Sequence, residues 1–259
     1  MLNSLYIGAT GMQAQQLNVD AIANNLANVN TTGYKKSRIS FEDLLYRTAS
    51  PNAAANNSEG LPVALGLGTF VASNAKSFLG GELKQTESPL DLAIQGNGFF
   101  EVNLPDGSSA YTRHGSFRVT SDGMLGTEAG YPLKQQIHVP ADATNLVIDA
   151  TGKVTATMPN ETKPVELGQI ELTTFPNPQG LDALGGNLYS STQISGQARV
   201  TKPGEDGCGT LVQGYLESSN VKLAEEMVNL VLAQRAYELN AKIIQTSDEM
   251  LSISNNLRR

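Results

Sequence analysis

Two carboxylates sit within the stretch PLDLAIQGNGFFEV, Asp91 near its start and Glu101 near its end. Acids held about 5 to 10 Å apart would be glycosidase machinery, one protonating the leaving oxygen while the other serves as base or nucleophile. Spacing along the chain does not set that distance, and Asp91 in PLDLAIQG reads better as fixing a turn or strand edge. The two histidines, His114 and His138, fall in strand-like segments with no acid or nucleophile at triad spacing, so they read as structural. Cys208, the single cysteine, stands in GEDGCGT. Its acidic neighbours disfavour a thiolate and it has no internal disulfide partner, which leaves a small loop residue. GLGTF and QGNGFF lack the third glycine and following helix of a phosphate cradle, and read as turns or close backbone contacts. HExxH, Cys/His-cluster and EF-hand patterns are all missing. The expectation is therefore no catalytic, cofactor-binding or metal-binding residue, and no enzyme.

A different polar cluster is harder to dismiss. NNLANVNTTGY, residues 24–34, places Asn24, Asn25, Asn28 and Asn30 at the end of an otherwise amphipathic helical pattern. Asparagine competes with helix backbone for hydrogen bonds, so the segment from Asn28 to Gly33 is expected to stop the helix and turn the chain.

The elements that must carry these residues follow from periodicity. Leu5, Met12, Val19 and Leu26 recur at seven-residue intervals, with Ile22 and Val29 on the same face. Leu223, Leu230, Tyr237, Ile244 and Leu251 do the same near the other end, flanked by Met227 and Ala241. A second row of Ala236, Ile243, Met250 and Leu257 broadens that apolar surface. Seams of this kind pack against another helix. Ser218, Ser219 or Asn220 is expected to cap the second helix, with Glu225 and Glu226 favourable in its first turns. Between the helices the period drops to two, and Asp106-Gly107 and Asp122-Gly123 mark hairpins. Further strands are expected over Asn145–Asp149, Lys153–Thr157, Ile170–Phe175 and Leu211–Leu216. The small, polar RTASPNAAANNSEGLP reads as a linker or long irregular arm. The fold class is thus α+β: N- and C-terminal helices paired as a coiled-coil domain, an all-β middle domain, and an extended arm between. The boundaries are 1–35 for the first helix, 36–70 for the arm, 71–215 for the β domain and 216–259 for the last helix.

Bulk properties narrow the partners. A formal net charge of −7 opposes nucleic-acid binding. No apolar run reaches the roughly 18 residues that span a bilayer, and no charged n-region precedes an apolar stretch as in a secretory signal. The leftover apolar helix faces call for cover, and another copy of the chain is the leading candidate. The helices packing instead onto the β domain is the competing arrangement.

At three places the residues resemble one family, the rod and hook axial proteins of the bacterial flagellum. ANNLANVNTTGYK at Ala23–Lys35 follows a helix beginning SLYIGATGM; SNVKLAEEMVNLVLAQRAYELNAKIIQTSDEML covers Ser219–Leu251; and PLDLAIQGNGFFEV with AYTRHGSFR fills the middle. FEDLLYR and LPVALGLGTF are similar to the distal-rod type, with the proximal rod or a hook-type protein as runner-up; Phe70 and Cys208 depart from the pattern. The resemblance implies a structural subunit that polymerises into a hollow helical tube, transmits motor torque to the hook and lets exported subunits pass. It implies partners in further copies of itself, proximal rod proteins, hook protein, the surrounding P and L ring proteins, the rod cap and the type III export apparatus. It also implies location in the basal body, from the periplasm to the outer membrane, after export without a cleaved signal. Assembly residues on this reading are Leu5, Met12, Val19, Ile22, Asn24, Asn25, Leu26, Asn28, Val29, Leu223, Met227, Leu230, Gln234, Arg235, Tyr237, Asn240, Ile244 and Leu251, the asparagines tying subunits together. Phe41, Glu42, Asp43, Leu44, Leu45 and Tyr46 open the arm, expected to stiffen the polymer. Outside the family stand two alternatives, a soluble coiled-coil adaptor forming small closed oligomers and a peptidoglycan-active enzyme.

Overall fold

The computed structural model describes residues 2–44, 46–49, 63–143, 145–159 and 164–256, which fall into two compact units. The helical unit comprises residues 1–27, 37–75 and 222–259, and the β unit residues 28–36 and 76–221.

In the helical unit, helix α1 runs Leu2–Ala27 and α2 runs Leu223–Asn256. The first helix stops short of the boundary expected at residue 35. After Ala27 the chain turns, Thr31 N donating to Asn28 O and Tyr34 N to Thr31 O. Gly33 adopts φ +69°, and a Cβ there would meet the His114 backbone at 2.9 Å, so a side chain is excluded twice over. The described part of the expected arm is also not an unpaired extension. Strand Ser37–Asp43 pairs with Thr69–Lys76, and Tyr46–Ala49 pairs antiparallel with Val63–Gly66. Pairing gives these backbone groups the partners they need. Leu45 and the polar centre of the segment, 50–62, lie outside the described residues, as does Leu257.

The β unit is built from short antiparallel ladders. Its largest sheet orders Asp182–Gly185, Leu188–Ser190, Ser109–Thr112 and Phe100–Asn103 side by side. Both Asp-Gly pairs sit in hairpin turns, Asp106 Oδ1 accepting from Ser108 N, and Thr120 N donating to Met124 O. Strands Asn145–Ile148 and Lys153–Thr157 fall where expected, and Val165–Gln169 joins them as a third. The segment expected as one strand over Leu211–Leu216 is two, Thr210–Gln213 and Tyr215–Glu217, because the chain turns at Gly214 to pair successively with Leu92–Gln95 and Leu83–Gln85.

Adjacent residues of FFEV feed two cores, as period-two alternation requires. Phe100 joins Leu92, Val102, Phe117, Leu125 and Leu172, while Phe99 joins Tyr111, Phe175, Leu181 and Tyr189. Cys208 lies in a loop, as expected, with its side chain buried in the first core. Gly115 is where two backbones touch: a Cβ there would lie 1.6 Å from Leu92 O. Gly115→Ala should therefore lower stability by about 3 kcal/mol or more. Gly107→Ala, in open space with φ +82°, should cost only about 1 to 2 kcal/mol. Urea midpoints compare the two directly, and equal losses would refute this packing.

Candidate assembly surface

The two helices meet in the helical unit with a constant register. A Cβ on Gly8 would lie 2.9 Å from Ile244 Cγ1, and one on Gly11 2.9 Å from Asn240 Nδ2. Farther along, Asn25 Nδ2 stands 3.4 Å from Glu226 Oε2. Numbers that rise on α1 fall on α2, so the helices run antiparallel. The α2 face turned inward is Glu226, Leu230, Ala233, Asn240, Ile244, Ser247 and Leu251, steps of four and three residues that skip only the exposed Tyr237. Hydrophobic periodicity finds only about half of this seam, Leu230, Ile244 and Leu251. The other half is small or polar, and Glu226, Ala233 and Ser247 are its most deeply buried members. Gly8 and Ala14 are likewise buried on α1. Stepping four residues back from each large apolar position would have exposed the hidden row.

The remaining assembly candidates divide by position. Ile22 and Asn25 are buried; Leu5, Met12, Val19, Leu26, Asn28, Val29, Leu230, Asn240, Ile244 and Leu251 are half-buried. Asn24, Leu223, Met227, Gln234, Arg235 and Tyr237 are exposed, Arg235 pairing with Glu238 at 2.7 Å. Asn25 works inside the chain. Its Oδ1 accepts from Ser37 N at 2.8 Å and its Nδ2 donates to Ser37 O at 2.9 Å, so one side-chain amide imitates a strand neighbour at the start of Ser37–Asp43. In the arm, Phe41, Glu42 and Asp43 are exposed, Leu44 N donates to Gly68 O, and Tyr46 is paired opposite Gly66.

The outer side of α2 is unusually apolar. Leu223, Met227, Val228, Val231, Leu232, Leu239, Ile243, Met250 and Ile253 are all exposed, Leu232 at 62% and Leu239 at 65%. Tyr6, Ile7 and Leu17 are exposed on α1. Water contact at so many large side chains on one helix is unfavourable, at roughly 25 cal/mol per Å² of apolar surface. Among the described residues, no helix is long and apolar enough to cross a membrane. An exposed apolar patch of this kind is the sort that marks an interaction surface.

The residues first weighed for chemistry are committed elsewhere. Glu101 is buried, accepting from Lys134 Nζ at 2.7 Å and Thr173 Oγ1 at 3.3 Å. His114 Nδ1 lies 2.8 Å from Thr32 Oγ1. Cys208 Sγ lies 3.5 Å from Asn97 O. Asp91 forms an antiparallel bridge with Ser116, a strand-edge position.

A charge cluster that the sequence did not announce closes the motif GYK. Lys35 is fully buried in the β unit. Its ammonium donates to Glu217 Oε1 at 2.6 Å and Leu79 O at 2.7 Å. Glu217 also accepts from Arg113 Nη1 at 3.3 Å and Gly81 N at 2.8 Å, while Arg113 Nη2 donates to Gly96 O at 2.7 Å. One carboxylate thus answers two cations. Burial pushes the Lys35 pKa below its usual value, with Glu217 pulling the other way, and burial lowers Arg113 too. Nearby, the expected helix cap is redirected: Asn220 Oδ1 accepts from Lys36 N at 2.8 Å, while Ser219 Oγ accepts from Val221 N at 3.3 Å.

Glu217→Gln strands two buried cations and should lower stability by about 3 to 5 kcal/mol. Lys35→Met should cost less, because Glu217 keeps Arg113 and Gly81. A lysine whose folded pKa lies below its unfolded value favours folding as pH climbs from the former to the latter. The native chain should therefore gain on Lys35→Met across that alkaline window. Urea unfolding at a series of pH values checks both; a milder Glu217→Gln, or a constant gap between native and Lys35→Met, would contradict the cluster.

Comparison with known proteins agrees with these elements. Residues 5–35 match the flagella basal body rod protein family, 93–156 the flagellar hook protein FlgE/F/G D1 domain, and 212–257 the flagellar basal body rod FlgEFG protein C-terminal region. Flagellar basal-body rod protein FlgG of Borreliella burgdorferi is 48% identical, with both chains covered in full. FlgG of Buchnera aphidicola from Schizaphis graminum is 48% identical over 97% of this chain and 98% of its own. Flagellar hook-basal body complex protein FlhP of Bacillus subtilis is 30% identical, again over the full length of both. With paired-residue helices at both ends, a β-rich middle and full-length identity at this level, the chain belongs to the flagellar basal-body rod protein family.

Proposed function

We propose that this rod protein is the distal-rod subunit, a structural element and not an enzyme, whose copies stack into a hollow tube that carries torque from motor to hook. The observation that carries the reading is the outward apolar face of α2, with Leu232 and Leu239 more than half exposed. In the tube, α1 and α2 pair as a coiled coil and their outer faces bury against neighbouring copies. Each Leu, Ile or Met so covered contributes about 1.5 to 3 kcal/mol. Many such lateral contacts hold a shaft that no single contact could.

The seam between α1 and α2 supports a second step. Gly8, Gly11, Ala233 and Ser247 bury little apolar area, so the helices are weakly held in a lone chain, and amphipathic helices without partners are marginal in water. Their folding is then coupled to assembly, which suits passage through the type III export apparatus. The paired strands around Phe41–Tyr46 stiffen the polymer. Neighbours along the axis are proximal rod proteins and hook protein; the rod cap sits at the growing end, and the P and L rings surround the shaft between periplasm and outer membrane.

Leu239→Asp, on the exposed face, should abolish tubes while the β unit keeps its near-ultraviolet dichroism. Leu230→Asp, on the inner seam, should do so as well. Electron microscopy of concentrated protein reads the outcome. Straight tubes from Leu239→Asp would sink the face assignment, and small closed particles from the native chain would favour an adaptor.

A further inference from the structure

The chain passes between its two units four times, at Ala27–Asn28, Lys36–Ser37, Ala75–Lys76 and Val221–Lys222. Inside the β unit, the segments beside the last three passages are tied to one another. Ser77 N donates to Lys36 O at 2.9 Å, and Asn220 N donates to Tyr34 O at 3.4 Å. The Asn220 side chain joins all three: Oδ1 accepts from Lys36 N at 2.8 Å, while Nδ2 donates to Ser77 O at 2.8 Å and Leu79 O at 3.2 Å. Lys35 makes a second tie, its ammonium shared between Leu79 O and Glu217. The first passage leads into the turn that ends at Gly33, whose N–H donates to Glu217 O at 2.7 Å.

We propose that Asn220, backed by Lys35 and Glu217, is a force-sharing clasp. Every covalent link through which tension enters the β unit arrives at residues bonded to one another, so a pull on one link is spread over the others. Bonds loaded side by side must break together; bonds loaded in sequence break one at a time. Without the Asn220 side chain, the segments keep the Lys35 tie and the Ser77–Lys36 bond but otherwise rest on separate two-stranded ladders such as Leu83–Gln85 with Tyr215–Glu217, which can peel independently. A side-chain amide suits the post because it donates twice and accepts at once, and no carboxylate or ammonium of its length does both. The purpose of the clasp rests on the torque-bearing reading of the chain; its existence does not.

The test uses the full-length chain held by its two ends in an optical trap. The native β unit should rupture in one step. Asn220→Ala removes three side-chain hydrogen bonds and should raise the rupture rate at a given force by about ten- to a hundredfold, with an early small step as residues 215–221 peel away. Asn220→Asp keeps an acceptor for Lys36 N but turns a carboxylate toward two carbonyls, and should behave like Ala. Gln169→Ala, which loses an exposed bond to Thr151 O, should leave rupture unchanged. Native-like rupture in both Asn220 variants overturns the clasp, as does weakening no greater than that of Gln169→Ala. Amide exchange on the native chain gives an independent answer: Gly33, Lys36, Ser77 and Asn220 should exchange with one common protection, and four unrelated values would overturn it. Because both measurements use single, unassembled chains, failure here leaves the rod reading standing.

Discussion

A buried carboxylate with two cationic partners is the constraint around which the β unit is arranged. Glu217 cannot be left alone in a dry interior, and neither can Lys35 or Arg113. Taking three charges out of water contributes little net stability even when they are well paired. What the cluster supplies is exclusivity. Arg113 belongs to the segment after strand Ser109–Thr112, Lys35 to the turn after α1, and Glu217 to the end of strand Tyr215–Glu217. Segments far apart in sequence therefore share one position, because any other leaves a charge without a partner.

The helical unit obeys a softer rule. Its seam is made by size, with Gly8 admitting Ile244 and Gly11 admitting Asn240, and by one amide, Asn25, that finishes a strand edge. Large apolar side chains are divided, Leu230, Ile244 and Leu251 facing the seam while Leu232, Leu239 and Ile253 lie exposed. That departs from the usual amphipathic helix, which keeps most of its large hydrophobes on one inward stripe. The two units thus differ in kind: one is specified from within by paired charge and dense aromatic contacts, the other presents its hydrophobic surface to what lies outside the chain.

How much of this could be read from residues alone depends on which physical signal each feature emits. The Asp106-Gly107 and Asp122-Gly123 hairpins were legible because turn chemistry is local. Strands such as Asn145–Ile148 were legible because half-burial imposes alternation. Strand Val165–Gln169 was not, since its residues are mostly half-buried and its pattern is weak. On α2, Leu230 and Ile244 stood out by size, whereas Ala233 and Ser247, buried more deeply, are silent in any reading that weighs hydrophobicity. Lys35 was the least legible. A lysine just past a helix is ordinarily solvated, and only the fold brings Glu217 to it across the whole chain. Asn220 looked like a helix cap because its position fits one; its real partners come from two distant segments. Resemblance to a family supplied the motifs around these residues but not what their side chains hold.

The weak seam between α1 and α2 has a kinetic side. On the proposed reading, a helix pair whose seam alternates Leu230, Ile244 and Leu251 with glycine, alanine, serine and asparagine is marginal in a lone chain, so isolated chains would have no inexpensive way to begin a polymer. An existing end is different, because it already displays ordered helices for an arriving Leu232 or Leu239 to cover. Growth from ends would then outrun spontaneous nucleation, and the number of polymers would be set by the number of starting points rather than by the amount of subunit. Gly8 and Gly11, by keeping the intramolecular contact thin, would act as a brake on unseeded growth.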